Sequence, residues 1–421
     1  MHGTAQDPAT LVHGMGRKAR AAYAGIARES SARKAMALMS AAQAIRAQSA
    51  TILAANAEDM ANGRDQGLSA AMLDRLALDP ARLEGVAAGI EAVARLHDPV
   101  GMVIDETTRP NGLRMSRVRV PLGVVGIIYE SRPNVTADAA ALCLMSGNAV
   151  ILRGGSEASN SNAAIHAAMI AGITNEGMPA DAIQLIPTRD RAAVGAMLEA
   201  AGLIDIIIPR GGKSLVARVQ AEARVPVLAH LDGICHTYID ADADPSKALE
   251  IAVNAKMRRT GICGAMETLL IDRAFGTPSS IVNALIEAGC EVRGDPDICA
   301  MDARAVAATP EDWDSEYLDS ICAVAMVDGL AGAMAHIARH SSAHTDAIIT
   351  ENAQIAETFL AGVDSAIVMH NASTQFADGG EFGLGAEIGI ATGRLHARGP
   401  VALEGLTTYK WVVRGNGQTR A

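Results

Sequence analysis

The stretch Gly123-Val-Val-Gly-Ile-Ile-Tyr129 decides the fold, because a continuous run of small and apolar residues predicts a strand that is buried on both faces. Strands of this kind lie in parallel sheets, whose two faces are covered by helices. Further strand-like runs, alternating with helix-like runs such as 161–171 and 191–201, follow at 149–152, 183–186, 204–208 and 225–228. This alternation predicts a doubly wound α/β domain with a mainly parallel sheet.

Other patterns lie on either side of this series. Residues 1–16 are polar, which predicts a frayed end. From Ser31 onward, apolar residues such as Leu38 and Ala42 recur at helical spacing, so the first ~100 residues are predicted to form a helical layer. A second α/β series is predicted from Pro245, with helices at 245–255 and 279–288 and strands at 268–272, 322–327, 347–350 and 366–369.

Residues 115–120 alternate apolar and polar side chains, which predicts a half-exposed strand. Its Arg117 and Arg119, together with the basic C-terminal segment, favour an exposed sheet edge. Because an unpaired edge promotes association, the sequence predicts a homo-oligomer in which this edge pairs with a neighbouring subunit.

Composition excludes several classes of protein. Of the 421 residues, 49% are hydrophobic and 20% are charged, which is typical of a globular chain rather than a disordered one. The net charge of −11 and the aromatic content of 3% argue against a nucleic-acid partner. No apolar run reaches the roughly 18 residues of a spanning helix, and residues 1–20 lack the apolar core of a signal peptide. We therefore expect a cytoplasmic protein with no membrane partner.

The cysteines and histidines do not form a metal motif in the sequence. No Cys-x-x-Cys pair is present, and this scatter favours reduced thiols over a disulfide scaffold or a zinc site. His336 and His340 have the i, i+4 spacing of a metal motif, but no carboxylate completes it. The sequence therefore predicts no metal.

Cys263 is a candidate nucleophile. It lies in a loop between Gly261 and Gly264, whose small size leaves room for a substrate carbonyl, and a strand-like run follows. A thiol is reactive as thiolate, and nearby cations favour that form. The cations that precede the thiol are Lys256, Arg258 and Arg259. A buried structural thiol is the alternative, because most free cysteines are buried in this way.

Two glycine turns have the pattern of an anion site. Ile151-Leu-Arg-Gly-Gly-Ser-Glu-Ala158 and Ile208-Pro-Arg-Gly-Gly-Lys-Ser-Leu215 each join a predicted strand to a helix start, where free N–H groups and the helix dipole favour phosphate. The first lacks the Gly-x-Gly-x-x-Gly spacing, so an ordinary βα turn is its alternative, and Lys213 of the second is alternatively a solvated helix charge. Two such turns in one sheet favour a nucleotide lying across the strand ends.

Asn134 follows the most apolar strand and comes directly after Pro133. Its side-chain amide suits a developing oxyanion, as donors in acyl-transfer sites do. An ordinary helix cap is the alternative, because asparagine is also a good capping residue. Both interpretations stay open on the residues alone.

Together these stretches resemble one family. The matching runs lie in order between about Arg33 and Lys410, at 120–136, 146–155, 208–212, 232–236, 254–271, 335–346, 371–374, 382–387 and 395–400. The chain resembles the gamma-glutamyl phosphate reductases (glutamate-5-semialdehyde dehydrogenases) of the aldehyde dehydrogenase superfamily. The resemblance implies an aldehyde dehydrogenase-like α/β fold with two doubly wound domains and a small β flap for oligomerisation. The implied parts are a nucleotide-binding domain over 1–107 and 121–241, a catalytic domain over 242–378, and the flap and tail over 108–120 and 379–421.

The resemblance implies NADPH-dependent reduction of L-glutamyl 5-phosphate to L-glutamate 5-semialdehyde, with release of phosphate, in proline biosynthesis. Cys263 matches the family nucleophile, which forms a thioester, and Asn134 matches the oxyanion asparagine. Residues 230–233 stand where oxidative relatives carry a glutamate base. Reduction of an acyl phosphate needs no activated water, so that base is dispensable.

The resemblance also implies contacts to NADP(H) and to substrate. Glu157 and Glu316 match positions that hold cofactor ribose, and Arg153 stands where many relatives have lysine, which favours a 2′-phosphate. The implied cofactor-binding residues are Arg153, Gly154, Gly155, Ser156, Glu157, Pro209, Arg210, Gly211, Gly212 and Glu316. Candidates for the substrate phosphate or carboxylate are Arg132, Lys256, Arg258 and Arg259.

Two departures and three alternatives accompany the resemblance. Met145 stands where lysine is expected and Gln375 where arginine is expected, so affinity for a phosphate-bearing ligand is the property in doubt. The runner-up activity is that of a thioester-forming aldehyde dehydrogenase for another acyl phosphate or an acyl-CoA. A catalytically silent, nucleotide-binding member is a second alternative. A transient contact with glutamate 5-kinase, which makes the reactive acyl phosphate, is a third hypothesis left open.

Overall fold

The computed structural model of the chain describes residues 7–420, and the predicted frayed segment therefore lies partly outside the described residues. The described residues form two compact units. The first comprises the chain up to Ala229 with Leu384–Gly389 and the chain from Val401 onward, and the second comprises His230–Gly383 with Ile390–Pro400. The division at 229/230 lies upstream of the expected domain boundary at 241/242.

The described part of the chain alternates helices and strands. The α-helices are α1 Pro8–Ile26, α2 Ser31–Ala47, α3 Ser49–Asp65, α4 Ala70–Leu76, α5 Pro80–Ala94, α6 Val135–Met145, α7 Ser159–Asn175, α8 Ala192–Leu198, α9 Lys213–Glu222, α10 Pro245–Met257, α11 Pro278–Glu287, α12 Pro296–Met301, α13 Gly329–His340 and α14 Ala353–Gly362. The strands are β1 Val103–Thr108, β2 Arg114–Pro121, β3 Val124–Tyr129, β4 Ala149–Arg153, β5 Ile183–Leu185, β6 Ile206–Arg210, β7 Cys235–Ile239, β8 Met266–Asp272, β9 Glu291–Gly294, β10 Val306–Ala307, β11 Ile321–Val327, β12 Thr345–Ile349, β13 Ile367–His370, β14 Ile390–Ala391, β15 Gly399–Pro400 and β16 Thr407–Arg414.

The first unit contains the predicted parallel sheet, in the order β5-β4-β3-β6. Every residue of β3 is buried, as its unbroken apolar run predicts. The predicted strand at 225–228 is wrong: Val227 forms a single bridge to Ile207. Pro226 has no N–H to donate to a ladder, so the pairing does not extend. Because β4 and β6 flank β3, both glycine turns follow strands that neighbour β3.

The predicted helical layer is confirmed, and it begins earlier than predicted. α1 starts at Pro8, so the prediction of a frayed end is wrong from that residue onward. The Asp7 side chain caps the helix, and proline at the first helical position has no N–H to leave unpaired. The inward face carries small residues such as Gly16 and Ala19, which weaken the apolar periodicity that the sequence shows.

A three-stranded antiparallel sheet, in the order β1-β2-β16, also belongs to the first unit. The prediction that the alternating strand is an exposed edge is wrong, because β2 is central and β16 pairs with its whole length. The Arg117 guanidinium pairs with Asp105 and lies over the rings of Tyr409 and Trp411, at 5.2 and 5.8 Å from their centroids. A role of this sheet in oligomerisation stays a prediction.

The second unit contains a seven-stranded parallel sheet, in the order β10-β9-β11-β8-β7-β12-β13. It starts at β7, upstream of the predicted start at Pro245. The sequence obscures β7 because His236 interrupts its apolar run, yet the fold buries that ring against Asp346. Side chains of β8 alternate between two cores, with Leu269 in one and Leu270 in the other. Within residues 7–420, no helix is both long and apolar enough to cross a membrane.

Candidate active site

Cys263 lies in the second unit, in the loop that joins the C-terminal end of α10 to β8. The thiol is partly buried. Gly233 packs against this loop so closely that a Cβ there would lie 2.8 Å from the Cβ of Cys263 and closer still to its carbonyl oxygen. At Gly264, an added Cβ would lie 3.2 Å from the carbonyl oxygen of Thr374. Close main-chain packing on two sides therefore holds the loop in place.

Two histidines converge on Cys263. One ring nitrogen of His230, one of His344 and the Cys263 Sγ lie within 4.8 Å of one another. The two imidazole rings meet edge to face, with centroids 5.1 Å apart. The sequence gives no sign of this cluster, because its members come from distant parts of the chain. The nearest indication comes from the resemblance, in which residues 230–233 stand where oxidative relatives carry a glutamate base.

Cys235 connects two members of the cluster. Its thiol donates to the carbonyl oxygen of Cys263 at 3.1 Å, and its sulfur lies 3.6 Å from Nδ1 of His344. Burial raises the pKa of Cys235 well above the ordinary value, so this group stays a thiol that can donate. Burial also lowers the pKa of His344 to about 3, and the charge of a protonated His230 would lower it further. The His344 ring is therefore neutral at physiological pH.

The cations that precede Cys263 in the sequence have other partners. Lys256 is fully buried, and its Nζ donates to the Glu267 carboxylate at 2.6 Å. Burial raises the pKa of Glu267 above the ordinary value, and the adjacent ammonium opposes that rise. Arg258 is exposed and donates to the side-chain oxygen of Gln375 at 3.3 Å, and Arg259 is also exposed. The Lys256 side chain is therefore inaccessible to a substrate, whereas the side chains of both arginines are exposed.

Gln375 holds the segment that leads to Cys263. Its side-chain NH₂ donates to the carbonyl oxygens of Ala255 and Arg259, at 2.9 and 3.1 Å. The side chain is buried, and its bonds satisfy one carbonyl group in the last turn of α10 and another just beyond the end of the helix. Gln375 therefore fixes the main chain on the N-terminal side of the nucleophile loop.

In the first unit, both glycine turns are tied to the segment that follows β3. The Glu157 carboxylate accepts from the N–H and the hydroxyl of Ser131, at 2.7 and 2.8 Å. The Glu130 carboxylate accepts from the N–H of Gly212 at 2.9 Å. A Cβ at Gly211 would lie 2.5 Å from Glu130, so a larger residue would disturb that link. The two turns and the end of β3 form one edge of the sheet.

Arg153 ends β4 beneath the first glycine turn. Nη1 donates to the carbonyl oxygen of Gly154 at 2.7 Å, and Nη2 donates to that of Arg189 at 3.3 Å. Its Nε is buried without a hydrogen-bond partner. A Cβ at Gly154 would overlap the side chain of Asn162, and a Cβ at Gly155 would overlap Glu157. Close packing therefore requires glycine at both positions, and the Arg153 Nε retains an unused donor.

Asn134 precedes the first residue of α6 and makes no capping bond with its side chain. Its Nδ2 instead donates to the Asp138 carboxylate at 2.8 Å. An amide nitrogen carries two hydrogens, so a second one remains to donate to another acceptor. Burial raises the pKa of Asp138 to about 6, against the Asn134 hydrogen bond and the charge of Arg210. Asn134 is thus oriented by a side chain, which argues against the alternative of an ordinary cap.

Comparison with known proteins identifies the family. The sequence model of the aldehyde dehydrogenase family matches residues 3–297. The chain is 74% identical to the gamma-glutamyl phosphate reductase of Rhizorhabdus wittichii over 416 residues, which are 99% of this chain and 97% of that protein. The chain belongs to the gamma-glutamyl phosphate reductases, within the aldehyde dehydrogenase family. Membership makes it an enzyme of the oxidoreductase class, and the resemblance stated from the sequence is confirmed.

Further gamma-glutamyl phosphate reductases agree. The protein of Zymomonas mobilis is 63% identical over 415 residues, which are 98% of this chain and 97% of that protein. The crystal structure of the Thermotoga maritima gamma-glutamyl phosphate reductase has a TM-score of 0.95 at 42% identity, covering 98% of this chain and 100% of that one. The predicted aldehyde dehydrogenase-like α/β fold is thereby confirmed.

The remaining predicted residues of this gamma-glutamyl phosphate reductase fall in both units. In the first unit, Ser156 directly follows the glycines of the first turn, Pro209 and Arg210 end β6 just before the second turn, and exposed Arg132 follows β3. Glu316 lies in the second unit, before β11, where its charge helps to raise the pKa of Glu267. The individual roles of these residues stay predictions.

The two positions that depart from the family pattern, Met145 and Gln375, have different surroundings. Met145 is buried at the end of α6, packed among other residues, so an ammonium at that position would need a partner. Gln375 carries the hydrogen bonds described above and could not be replaced by arginine without losing its acceptor for Arg258. The expected effect on ligand affinity stays a prediction for both positions.

Proposed function

We propose that the chain reduces L-glutamyl 5-phosphate to L-glutamate 5-semialdehyde, with release of phosphate, as a step of proline biosynthesis. The observation that carries this proposal is 74% identity, over 99% of the chain, to a relative named gamma-glutamyl phosphate reductase. The geometry of the second unit supports it, because Cys263 is a partly buried thiol in a loop whose main chain is held by Gly233 and Gln375.

The chemistry starts at Cys263. Its thiolate attacks the acyl carbon of L-glutamyl 5-phosphate, a carbon–sulfur bond forms, and the carbon–oxygen bond to phosphate breaks with its electron pair leaving on phosphate. The product on the enzyme is a thioester, and no water has to be activated to make it. When bound, NADPH supplies the hydride that reduces this thioester. Cleavage of the carbon–sulfur bond then releases the semialdehyde and returns the thiolate.

The nicotinamide cofactor, which we infer from family membership, fits the edge formed by the two glycine turns of the first unit. The Nε of Arg153 is a buried cationic donor there without a hydrogen-bond partner, and the turn directly precedes a helical segment, whose N–H groups favour a phosphate. A cationic donor suits the 2′-phosphate of NADP(H) better than the neutral ribose of NAD(H), so NADP(H) is the proposed form.

Other roles rest on the resemblance and are proposals of the same kind. They are oxyanion stabilisation by Asn134, ribose binding by Glu157 and Glu316, and substrate binding by Arg132, Arg258 and Arg259. Homo-oligomer formation, contact with glutamate 5-kinase and a cytoplasmic location also stay predictions.

The test measures NADP⁺ reduction by the purified protein with L-glutamate 5-semialdehyde and inorganic phosphate, which is the reverse reaction. Cys263→Ala should lower the rate at least about 10³-fold, because removal of a covalent nucleophile can cost up to about 10⁶-fold. Cys299→Ala is the matched control, since Cys299 is another partly exposed thiol of the same unit. It should retain the wild-type rate.

Each outcome selects one activity. Phosphate-dependent turnover that is lost only in Cys263→Ala supports the proposal. Turnover without phosphate would identify a hydrolytic aldehyde dehydrogenase. Turnover that requires coenzyme A in place of phosphate would identify the runner-up activity. No turnover with NADP⁺ or NAD⁺ would favour a catalytically silent member.

A further inference from the structure

The cluster of His230, Cys263 and His344 has the donor set of a zinc site. Its three ligand atoms lie within 4.8 Å of one another. Tetrahedral Zn²⁺ binds cysteine sulfur at about 2.3 Å and histidine nitrogen at about 2.0–2.1 Å, which places ligand atoms roughly 3.3–3.6 Å apart. Side-chain shifts of about 1 Å would therefore bring the three atoms to one ion.

Hydrogen bonds at Nδ1 of both rings are compatible with the tautomer that metal binding needs. Nδ1 of His230 lies 2.8 Å from the carbonyl oxygen of Ile390, which only accepts, so this nitrogen carries the proton. Nδ1 of His344 lies 2.9 Å from the Thr345 hydroxyl and 3.6 Å from the Cys235 sulfur, whose own proton goes to a carbonyl oxygen. With the His344 proton on Nδ1 and donated to that hydroxyl, both rings present an Nε2 lone pair, as in metal sites where the second nitrogen donates to the protein.

An independent observation at His344 points to a ligand. The side chain has no solvent exposure, and its Nε2 has no hydrogen-bond partner. With the proton on Nδ1, Nε2 is a buried acceptor without a partner, which costs about 1–3 kcal/mol, so a group that bonds to it is favoured. A divalent cation would satisfy this lone pair and bond at the same time to the sulfur of Cys263.

We propose that His230, Cys263 and His344 form a binding site for a thiophilic divalent cation, with Zn²⁺ as the ion that fits best. Binding exchanges the thiol proton of Cys263, released to solvent, for a zinc–sulfur bond, and no oxidation is involved. Three protein ligands leave a fourth position for water. The bound sulfur can no longer attack an acyl carbon. Reversible inhibition by zinc follows, and this consequence alone rests on the function proposed above.

The test titrates the metal-free full-length protein with Zn²⁺ by calorimetry and with Co²⁺ by absorption, because a cobalt–thiolate bond gives a charge-transfer band. We expect one ion per chain. Cys263→Ser, His230→Gln and His344→Gln should each weaken binding by more than about 10–100-fold, the loss seen when only a partner of a ligand is removed. His340→Gln and Cys299→Ser, which lie outside the cluster, are the matched controls and should bind as the wild type does.

Metal protection of the thiol gives a readout that needs neither variants nor activity. Zn²⁺ should slow alkylation of Cys263 by iodoacetamide, measured by mass spectrometry of the digested protein, and a chelator should restore the rate. Unchanged alkylation with saturating Zn²⁺ would overturn the proposal, as would equal binding by Cys263→Ser. If zinc binds but the protein turns over no substrate, the site stands and the proposed reductase function fails.

Discussion

The edge of the first unit's parallel sheet and the surroundings of Cys263 in the second unit are assembled in different ways. At the sheet edge, the candidate residues come in two contiguous runs, each at the C-terminal end of a strand, and Glu130 and Glu157 tie the runs to the end of β3. Around Cys263, the neighbours come from three separate stretches of the chain, which contain His230 with Cys235, His344, and Gln375. A strand–turn–helix motif can be recognised from consecutive residues, whereas a site assembled from distant residues cannot.

A buried lysine in each unit allows the two units to be compared in terms of stability. Lys34 in the first unit pairs with Asp98 at 2.6 Å, and Lys256 in the second pairs with Glu267 at the same distance. Position in the sequence suggested a substrate role for Lys256, which stands close to the nucleophile. Burial instead makes it the counterpart of Lys34, because an ion taken out of water needs a partner of opposite charge.

The largest expected effect is on stability, and it tests whether Lys256 is a structural buried cation like Lys34. Lys256→Met should lower the free energy of unfolding by about 3–5 kcal/mol, because it leaves the Glu267 carboxylate buried and unpaired. Urea denaturation measures the change. The double variant Lys256→Met/Glu267→Met is the control and should recover most of the loss. A stable Lys256→Met protein with a raised KM would show instead that the ammonium contacts substrate.

The second prediction separates catalysis from capping in the first unit. Asn134→Ala should lower kcat about 10²–10³-fold, the usual cost of removing one oxyanion donor. Asn352→Ala is the matched control, because its side chain caps α14 by accepting from two main-chain N–H groups. It should lower stability by about 0.5–2 kcal/mol and leave kcat unchanged. Equal kcat values for the wild type and Asn134→Ala would remove the oxyanion role.

The third prediction concerns the support of the nucleophile loop. Gln375→Ala removes the donors that satisfy the carbonyl oxygens of Ala255 and Arg259, so the unfolding free energy should fall by about 1–3 kcal/mol. Gln354→Ala, at an exposed glutamine on α14, should stay within about 0.5 kcal/mol of the wild type. The same fall in both variants would mean that the buried hydrogen bonds contribute nothing specific.

The smallest expected effect is on the pH dependence of the unfolding free energy. Burial raises the pKa of Asp138 from 3.8 to about 6, so the folded protein binds this proton more tightly than the unfolded chain does. The stability that this proton contributes is complete below pH 3.8 and is lost as the pH rises through about 6. Asp138→Asn should remove this slope, which cannot exceed about 1.4 kcal/mol per pH unit.

A carboxylate with the opposite shift is the control for that slope. The Arg304 guanidinium lowers the pKa of Asp302 to about 2, so its contribution is present above an ordinary 3.8 and is lost as the pH falls through about 2. Asp302→Asn should therefore leave the slope between pH 4 and 6 as it is in the wild type. Urea denaturation at a series of pH values measures both, and an unchanged slope in Asp138→Asn would contradict the first.

Local patterns predicted the fold well where they were strong. The run at β3 gave a fully buried parallel strand, and the glycine turns follow β4 and β6 as predicted. Weak patterns failed. α1 was missed because its buried face carries glycine and alanine, and β7 was missed because it buries His236. In both cases a tertiary contact supplied the stability that the local apolar signal lacked.

The sequence by itself determined the α/β class, the family, the nucleophile loop and the glycine turns, because strand and helix periodicity and turn chemistry act between residues close in the chain. Only the tertiary structure decided that Lys256 is sealed against Glu267, that β2 is central in its sheet, and that His230 and His344 flank the thiol. Those outcomes depend on which distant groups are buried together. A buried polar group needs a hydrogen-bond or charge partner, and the pattern of neighbouring residues does not indicate which distant residue supplies it.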